Sequence, residues 1–318
     1  MVEEKVKEYK SPEEIIDILT SRNLTISSPI RTKRLLSENN YFFLKGYNDL
    51  FLDNNSDDIK YKDGVDFEDI YRIYVFDKDI KIVLFRYLLD IEQKIKAVLS
   101  DFISNKYGIK DSEYLKKSNY NGDCPYLDKV LKNIKDQKKT YGEKNEAVKH
   151  YQNKYSYVPL WVLTKALTMG AIRDLYNIMK PDDQDRIARE ILEKDIPKRR
   201  VATLKNMIAL LVDVRNMCAH DEMLINFRHS RIDISRMPEL EFFKLKKNKK
   251  GELIQGRKDL FAVLISIKYL TNKTTYNQFI QTLESEISKF IKKTPCITME
   301  DLMDYMHLPI NYYDLKKI

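Results

Sequence analysis

Residues 204–227 read LKNMIALLVDVRNMCAHDEMLINF. The apolar residues Leu204, Met207, Ile208, Leu211, Val214 and Cys218 return at three- and four-residue spacing, which predicts a core helix rather than a strand. Arg215 follows Leu211 by four residues and so shares the apolar stripe. A guanidinium cannot stay unpaired in a core, so a carboxylate or a phosphate has to meet it. His220 comes five residues later, about 7.5 Å further along the axis if the helix stays regular. A permanently charged side chain and a titratable imidazole at that separation could bracket one phosphodiester.

The chain has 318 residues, enough for one large domain or two modest ones. Its 8 Gly and 9 Pro are few, which favours long helices over turn-rich β-structure. Net charge +8 and a pI of about 9.0 fit an anionic partner such as nucleic acid, and equally a solvated lysine-rich surface. Cys124, Cys218 and Cys296 are far apart with no CxxC, so neither a disulfide framework nor a zinc site is expected. The N-terminus MVEEKVKEYK is charged, unlike a signal peptide, and no run of 18 apolar residues exists. A cytoplasmic protein with no membrane partner is the expectation. The four His, at 150, 220, 229 and 307, are scattered, and P-loop, GxGxxG and HExxH patterns are missing, so no metal and no cofactor is expected.

Ser11-Pro12-Glu13-Glu14 predicts a capped helix start, and Ser28-Pro29 opens a second helix carrying Arg31, Lys33 and Arg34. Residues 11–38 could thus form a helix-turn-helix that reads DNA. Tyr41, Phe42, Phe43 and Tyr47 fit core and lid packing better than a base-stacking platform. Within residues 66–105 the stripe of Ile80, Leu84, Tyr87, Leu88, Ile91, Ile95, Leu99 and Phe102 predicts a helix of six or more turns. Glu92 lies beside that stripe. It would partner a half-buried Arg215 if the two helices pack antiparallel, or pair with Lys96 at i,i+4 on the surface.

Residues 106–155 are polar and read as an insertion with one short amphipathic helix through Leu127, Val130, Leu131 and Ile134. Its lysines, 132, 135, 138, 139 and 144, could brush RNA, but a solvated face is the safer reading, and His150 is read as a surface residue. Further on, Pro159 and Trp161 would anchor a helix start, Gly170 would break it, and Pro181 would open Gln184–Leu192. A basic turn, Pro197-Lys198-Arg199-Arg200, precedes the motif helix, and Arg228, His229, Arg231 and Arg236 follow it. Residues 242–255 read as a loop or small hairpin around Lys250-Gly251, followed by helices over Lys258–Leu270 and Tyr276–Ile291 and a capped one from Thr298.

The pattern RNxxxH, here RNMCAH, resembles the signature of HEPN domains, helical domains many of which are ribonucleases. LLVDVRNMCAHDEMLIN resembles the motif helix of bacterial abortive-infection proteins of the AbiD/AbiF type. In chain order NNYFFLKGYNDLF, FDKDIK with IEQKIKAVLS, YSYVPLWVLTKALTMGAIRDLYNIM and MHLPINYYDL are similar to further segments of that family. Lys96, Lys165 and His307 depart from its pattern, where Arg, an acidic residue and Gly are usual.

The resemblance implies an all-α protein. A HEPN-like helical bundle would span 61–236, with an N-terminal helical segment over 1–60 and a C-terminal helical extension over 237–318. It implies a metal-independent endoribonuclease of anti-phage defence that leaves 2′,3′-cyclic phosphate and 5′-hydroxyl ends. His220 would be general base or acid, Arg215 would bind the non-bridging oxygens, Asn216 would orient ring or phosphate, and Glu92 would support Arg215. Lys96, Arg199, Arg200, Arg228, His229 and Arg231 would be secondary RNA contacts, with His229 a candidate second histidine. One helix supplies one imidazole, so a homodimer with a composite cleft is implied, restrained by an RNA or protein antitoxin. The alternatives are a catalytically idle RNA-binding protein and a DNA-binding regulator using residues 11–38.

Overall fold

The computed structural model describes residues 8–39, 41–53, 58–194, 196, 198–220, 222–234 and 237–318. Asn40, Pro197, Arg236 and the side chains of Phe42 and Phe43 lie outside the described residues. Two helices open the chain, α1 (Pro12–Ser21) and α2 (Pro29–Asn39). Ser11 and Glu14 form the expected capping box on α1. After α3 (Tyr41–Lys45) comes α4 (Phe67–Tyr107), 41 residues without interruption. Asp66 accepts from the Glu68 N–H, and Asp69 closes a second capping box. No Gly or Pro follows until Gly108, so nothing local stops the helix, which runs roughly 60 Å. Gly108 ends it at φ +99°, and a Cβ there would sit 2.5 Å from Glu113 Oε2.

The polar stretch holds α5 (Asp111–Tyr114), α6 (Leu127–Thr140) and α7 (Glu146–Tyr155). The sequence suggested one short helix in a long connection, but this stretch has a buried face of its own. Tyr114, Tyr120, Leu127, Leu131, Ile134 and Val148 join the core, and α6 packs on the later helix α9 (Met169–Asn177). The Tyr114 hydroxyl donates to the Val158 carbonyl at 2.8 Å, and the Asn121 N–H to the Ile178 carbonyl at 2.9 Å. Between them α8 (Leu160–Leu163) puts Leu160, Val162 and Leu163 inward. Trp161, expected as an anchor, is therefore turned out and 44% exposed, while Pro159 is buried. Thr168 caps α9, and Gly170, expected as a breaker, sits inside its first turn.

Then follow α10 (Pro181–Ile191), α11 (Arg200–Ala219), α12 (Pro238–Phe242), α13 (Leu260–Leu270), α14 (Lys273–Lys293) and α15 (Met299–Tyr305). Among the described residues the fold is all-α, with isolated bridges in place of strands. One bridge, Lys247 to Leu253, closes the expected hairpin around Lys250-Gly251. Among the described residues no helix is long and apolar enough to cross a membrane.

α4 lies between α11 and α14. Phe76 stacks on Phe290 with ring centroids 4.6 Å apart, and Tyr87 meets Phe279 edge-on at 5.1 Å. Those pairs set α14 antiparallel to α4. Every residue of α13 is buried, and that helix backs both α11 and α4. Residues 237–318 pack on the bundle and supply part of the same core. The far end of α4 is tied to α10, where the buried Asp183 accepts from Lys106 and the Tyr107 hydroxyl.

One buried carboxylate organises the near end. Asp77 is fully buried and faces four donors. These are the Tyr47 hydroxyl at 2.7 Å, Lys81 Nζ at 2.8 Å, and the backbone N–H groups of Leu224 at 2.9 Å and Ile225 at 2.8 Å. The segment following α11 is thereby pinned to α4. Asp77→Ala would uncover the Lys81 ammonium and two N–H groups. We expect a loss of about 3–5 kcal/mol, as for breaking a buried ion pair, read as a lower urea midpoint. An unchanged midpoint would mean that Asp77 is not the tether.

Candidate active site

α11 is apolar on most sides because α4, α9, α10 and α13 all pack against it. Its last turn emerges from that packing. His220 has φ −117° and ψ 170°, so the helix stops one residue short of the histidine. The regular-helix spacing expected from Arg215 to His220 therefore fails at its final step. The His220 N–H still donates to the carbonyls of Asn216, at 3.0 Å, and Met217, at 3.3 Å, which holds the residue over the helix end. Both His220 and Asn216 are exposed.

His220 stands in a cleft of about 400 Å³ between the end of α11 and the first half of α4. Lys78, Lys81, Ile82, Phe85 and Cys218 form most of its walls. Burial pushes the Cys218 thiol up to about 12, which keeps it protonated and rules it out as a thiolate nucleophile at neutral pH. Reading the sequence missed Lys78 and Lys81. The available signal was FDKDIK, where charges sit inside an apolar stripe and Asp77 and Lys81 are four apart.

Arg215 is where the stripe put it, on the side of α11 that faces α4. Its side chain is 30% exposed, and Nε donates to Glu92 Oε2 at 3.3 Å. The guanidinium carbon lies 5.7 Å from the Phe85 ring centroid, a cation–π contact. The other Glu92 oxygen holds Lys96 Nζ at 2.7 Å. Both readings of Glu92 thus hold at once, except that the carboxylate is buried. The contacts of Asp77 with Leu224 and of Glu92 with Arg215 run in opposite chain directions, so α4 and α11 are antiparallel as required.

The secondary RNA contacts divide. Lys96 is 13% exposed and committed to Glu92, so it does not present its charge to a strand. Arg200 is buried and paired with Asp185 at 2.6 Å, a link between α10 and α11, so its expected RNA contact gives way to a structural one. His229 is also satisfied. Its Nδ1 accepts from the Arg231 N–H at 2.9 Å and the Ile232 N–H at 2.7 Å, and Nε2 faces Asp213 at 2.9 Å. With Nδ1 accepting two backbone N–H groups, Nε2 is the nitrogen that donates to Asp213, and His229 does not line the His220 cleft. Arg199, Arg228 and Arg231 are exposed, Arg199 at the opposite end of α11 and Arg228 donating to the Ile254 carbonyl at 2.6 Å. On α2, Arg31, Lys33 and Arg34 are exposed and each faces a carboxylate, Glu68, Glu13 and Glu38. Among the described residues no group of His, Cys, Asp and Glu could hold a metal ion.

Residues 34–226, more than half of the chain, match the family model described as Abi-like protein. No curated protein and no solved structure matches the chain.

Glu92→Gln would remove the carboxylate shared by Arg215 and Lys96. We expect a loss of about 1–3 kcal/mol, below that of a fully buried pair because Arg215 keeps some water. On this background Arg215→Gln should cost less than it does alone. Purely additive costs would show that the two residues are not coupled.

Proposed function

The chain belongs to the Abi-like protein family, and on that premise we propose that it is a metal-independent endoribonuclease of the HEPN type acting in abortive infection. The family name links the chain to abortive infection, the bacterial response to phage. The observation that carries the nuclease reading is the position of His220. It is exposed at the mouth of a cleft whose walls include two lysines, with Asn216 on the same last turn.

RNA brings its own nucleophile. A base removes the 2′-OH proton, the 2′-oxygen attacks phosphorus, and the 5′-oxygen leaves with a proton supplied by an acid. His220 serves as one of the two proton-transfer groups. Lys78 and Arg215 stabilise charge on the non-bridging oxygens, and Asn216 orients the ring or the phosphate. The ends produced are a 2′,3′-cyclic phosphate and a 5′-hydroxyl. DNA lacks the nucleophile and is left intact.

The second proton-transfer group comes from a second copy of the chain. The outer face of α4 supports this. Val75, Ile82 and Leu89 recur every seven residues and are 36%, 69% and 45% exposed, and Ile82 also lines the His220 cleft. A second copy laid on this stripe would cover it and bring its own His220 to the same opening. Such an activity requires restraint, which an RNA or protein antitoxin would supply.

A second reading has an observation of its own. Arg215 already has a protein carboxylate, Glu92, as its partner, as in a catalytically idle RNA-binding protein where Arg215 is structural. Labelled single-stranded RNA incubated in excess EDTA separates the two. Wild type should cut and leave cyclic phosphate, while His220→Ala should fold normally and lose at least about a hundredfold in rate. Equal cutting by both proteins, or none by a dimeric wild type, would remove the nuclease reading. Arg215→Ala should lose activity together with some stability, so its unfolding midpoint is measured beside its rate. Ile82→Glu should yield a folded monomer with little activity. An active monomer would exclude the composite cleft.

A further inference from the structure

The stretch read from sequence as a solvated insertion carries a run of rings. On α7 and just beyond it, His150, Tyr151, Tyr155 and Tyr157 contact one another in a chain. The centroids are 5.8 Å apart for His150–Tyr151, 5.3 Å for Tyr151–Tyr155 and 6.1 Å for Tyr155–Tyr157. Ser156 takes the left-handed conformation, φ +64°, and closes α7. His150 and Tyr155 are exposed, and Tyr151 and Tyr157 are half-buried. Lys154 Nζ sits 5.3 Å from the Tyr155 centroid. On α8, which packs against α7, Trp161 is also left outside. Rings that a fold can bury and does not bury mark a contact surface.

Along the other edge of α7 runs a groove of about 680 Å³ against α6. Lys135, Lys138, Lys139 and Lys149 line it, opposed by the single acidic residue Glu143. Lys138 is also held by Asp111, which fixes that side of the groove. A positive groove beside a run of rings, two of them exposed and two half-buried, is the arrangement that suits an unpaired strand, with phosphates following the lysines and bases lying on the rings. A duplex keeps its bases stacked on one another and cannot use the rings.

We propose that α6 and α7 form a binding platform for single-stranded RNA, built from residues other than those of the His220 cleft. The choice of RNA rests on the nuclease reading above, whereas the preference for an unpaired strand rests on the rings. The platform holds part of the strand while another part enters the cleft.

The test is fluorescence anisotropy on the full chain carrying His220→Ala, in EDTA, with a labelled uridine oligonucleotide of about twelve nucleotides. Tyr155→Ala should raise Kd about tenfold, the loss of one stacked base, and Tyr155→Phe should restore binding. Lys149→Gln should lower the slope of log affinity against log salt by about 0.7, the value for one phosphate of a single strand. Tyr155 is exposed, so its replacement leaves the fold intact. Ring-dependent binding supports the platform whether or not the wild type cleaves, and a wild type that binds in this way without cleaving would instead sink the nuclease reading. An unchanged Kd for a Tyr151→Ala, Tyr155→Ala double variant, or equal affinity for a duplex of the same length, would overturn the platform.

Discussion

A carboxylate with no water around it has to be met by donors, and Asp77 is met by four. Two of them are backbone N–H groups just past the motif, so that segment cannot move away from α4 without leaving Asp77 Oδ1 and both N–H groups unpaired. The stop of α11 at Ala219 is thus set from both sides, by the His220 N–H folding back on Asn216 and by the tether four and five residues after His220. The six residues FDKDIK both fasten this exit and line the cleft through Lys78 and Lys81. The wall of the site and the clamp that aims its histidine belong to one and a half turns of one helix.

The second constraint is electrostatic. Glu92 stands between two cations, so the trio keeps one positive charge over. The Lys96 contact at 2.7 Å is the tight one, and the Arg215 contact at 3.3 Å is long for a charge-assisted bond. Phe85 under the guanidinium fixes where it lies without competing for its hydrogen bonds. An arginine held by one long pair and one ring keeps its place in the fold with its side chain still 30% exposed.

Sequence periodicity made the main packing legible. The stripe of α4, its Glu92, and Arg215 four residues after Leu211 made an Arg215–Glu92 pair between antiparallel helices one of two open readings, because each side chain's face follows from helical spacing, whereas the direction of packing does not. What stayed hidden depends on who the neighbours are. Arg200 looked like surface charge until Asp185 covered it, and His229 looked available until the backbone of 231 and 232 turned onto its ring. Trp161 looked like an anchor because tryptophan usually buries, but three aliphatic neighbours on a four-residue helix took the inward positions. The polar stretch 106–155 showed only part of its core face because its buried residues are spread over three helices, of which α6 alone, at 14 residues, is long enough for a period to be read.

The backing of α4 and α11 by α13 and α14 has a consequence in time. The motif is complete once residue 220 is made, but the helices behind its walls are residues 260–293, which are synthesised after it. Contacts so distant in sequence form late and together, since closing such loops costs entropy before any burial offsets it. On a ribosome, the growing chain would carry the motif for some forty residues and more without the support that holds its cleft in shape. On the nuclease reading proposed above, the order of the helices alone would hold the activity back while the chain is being made.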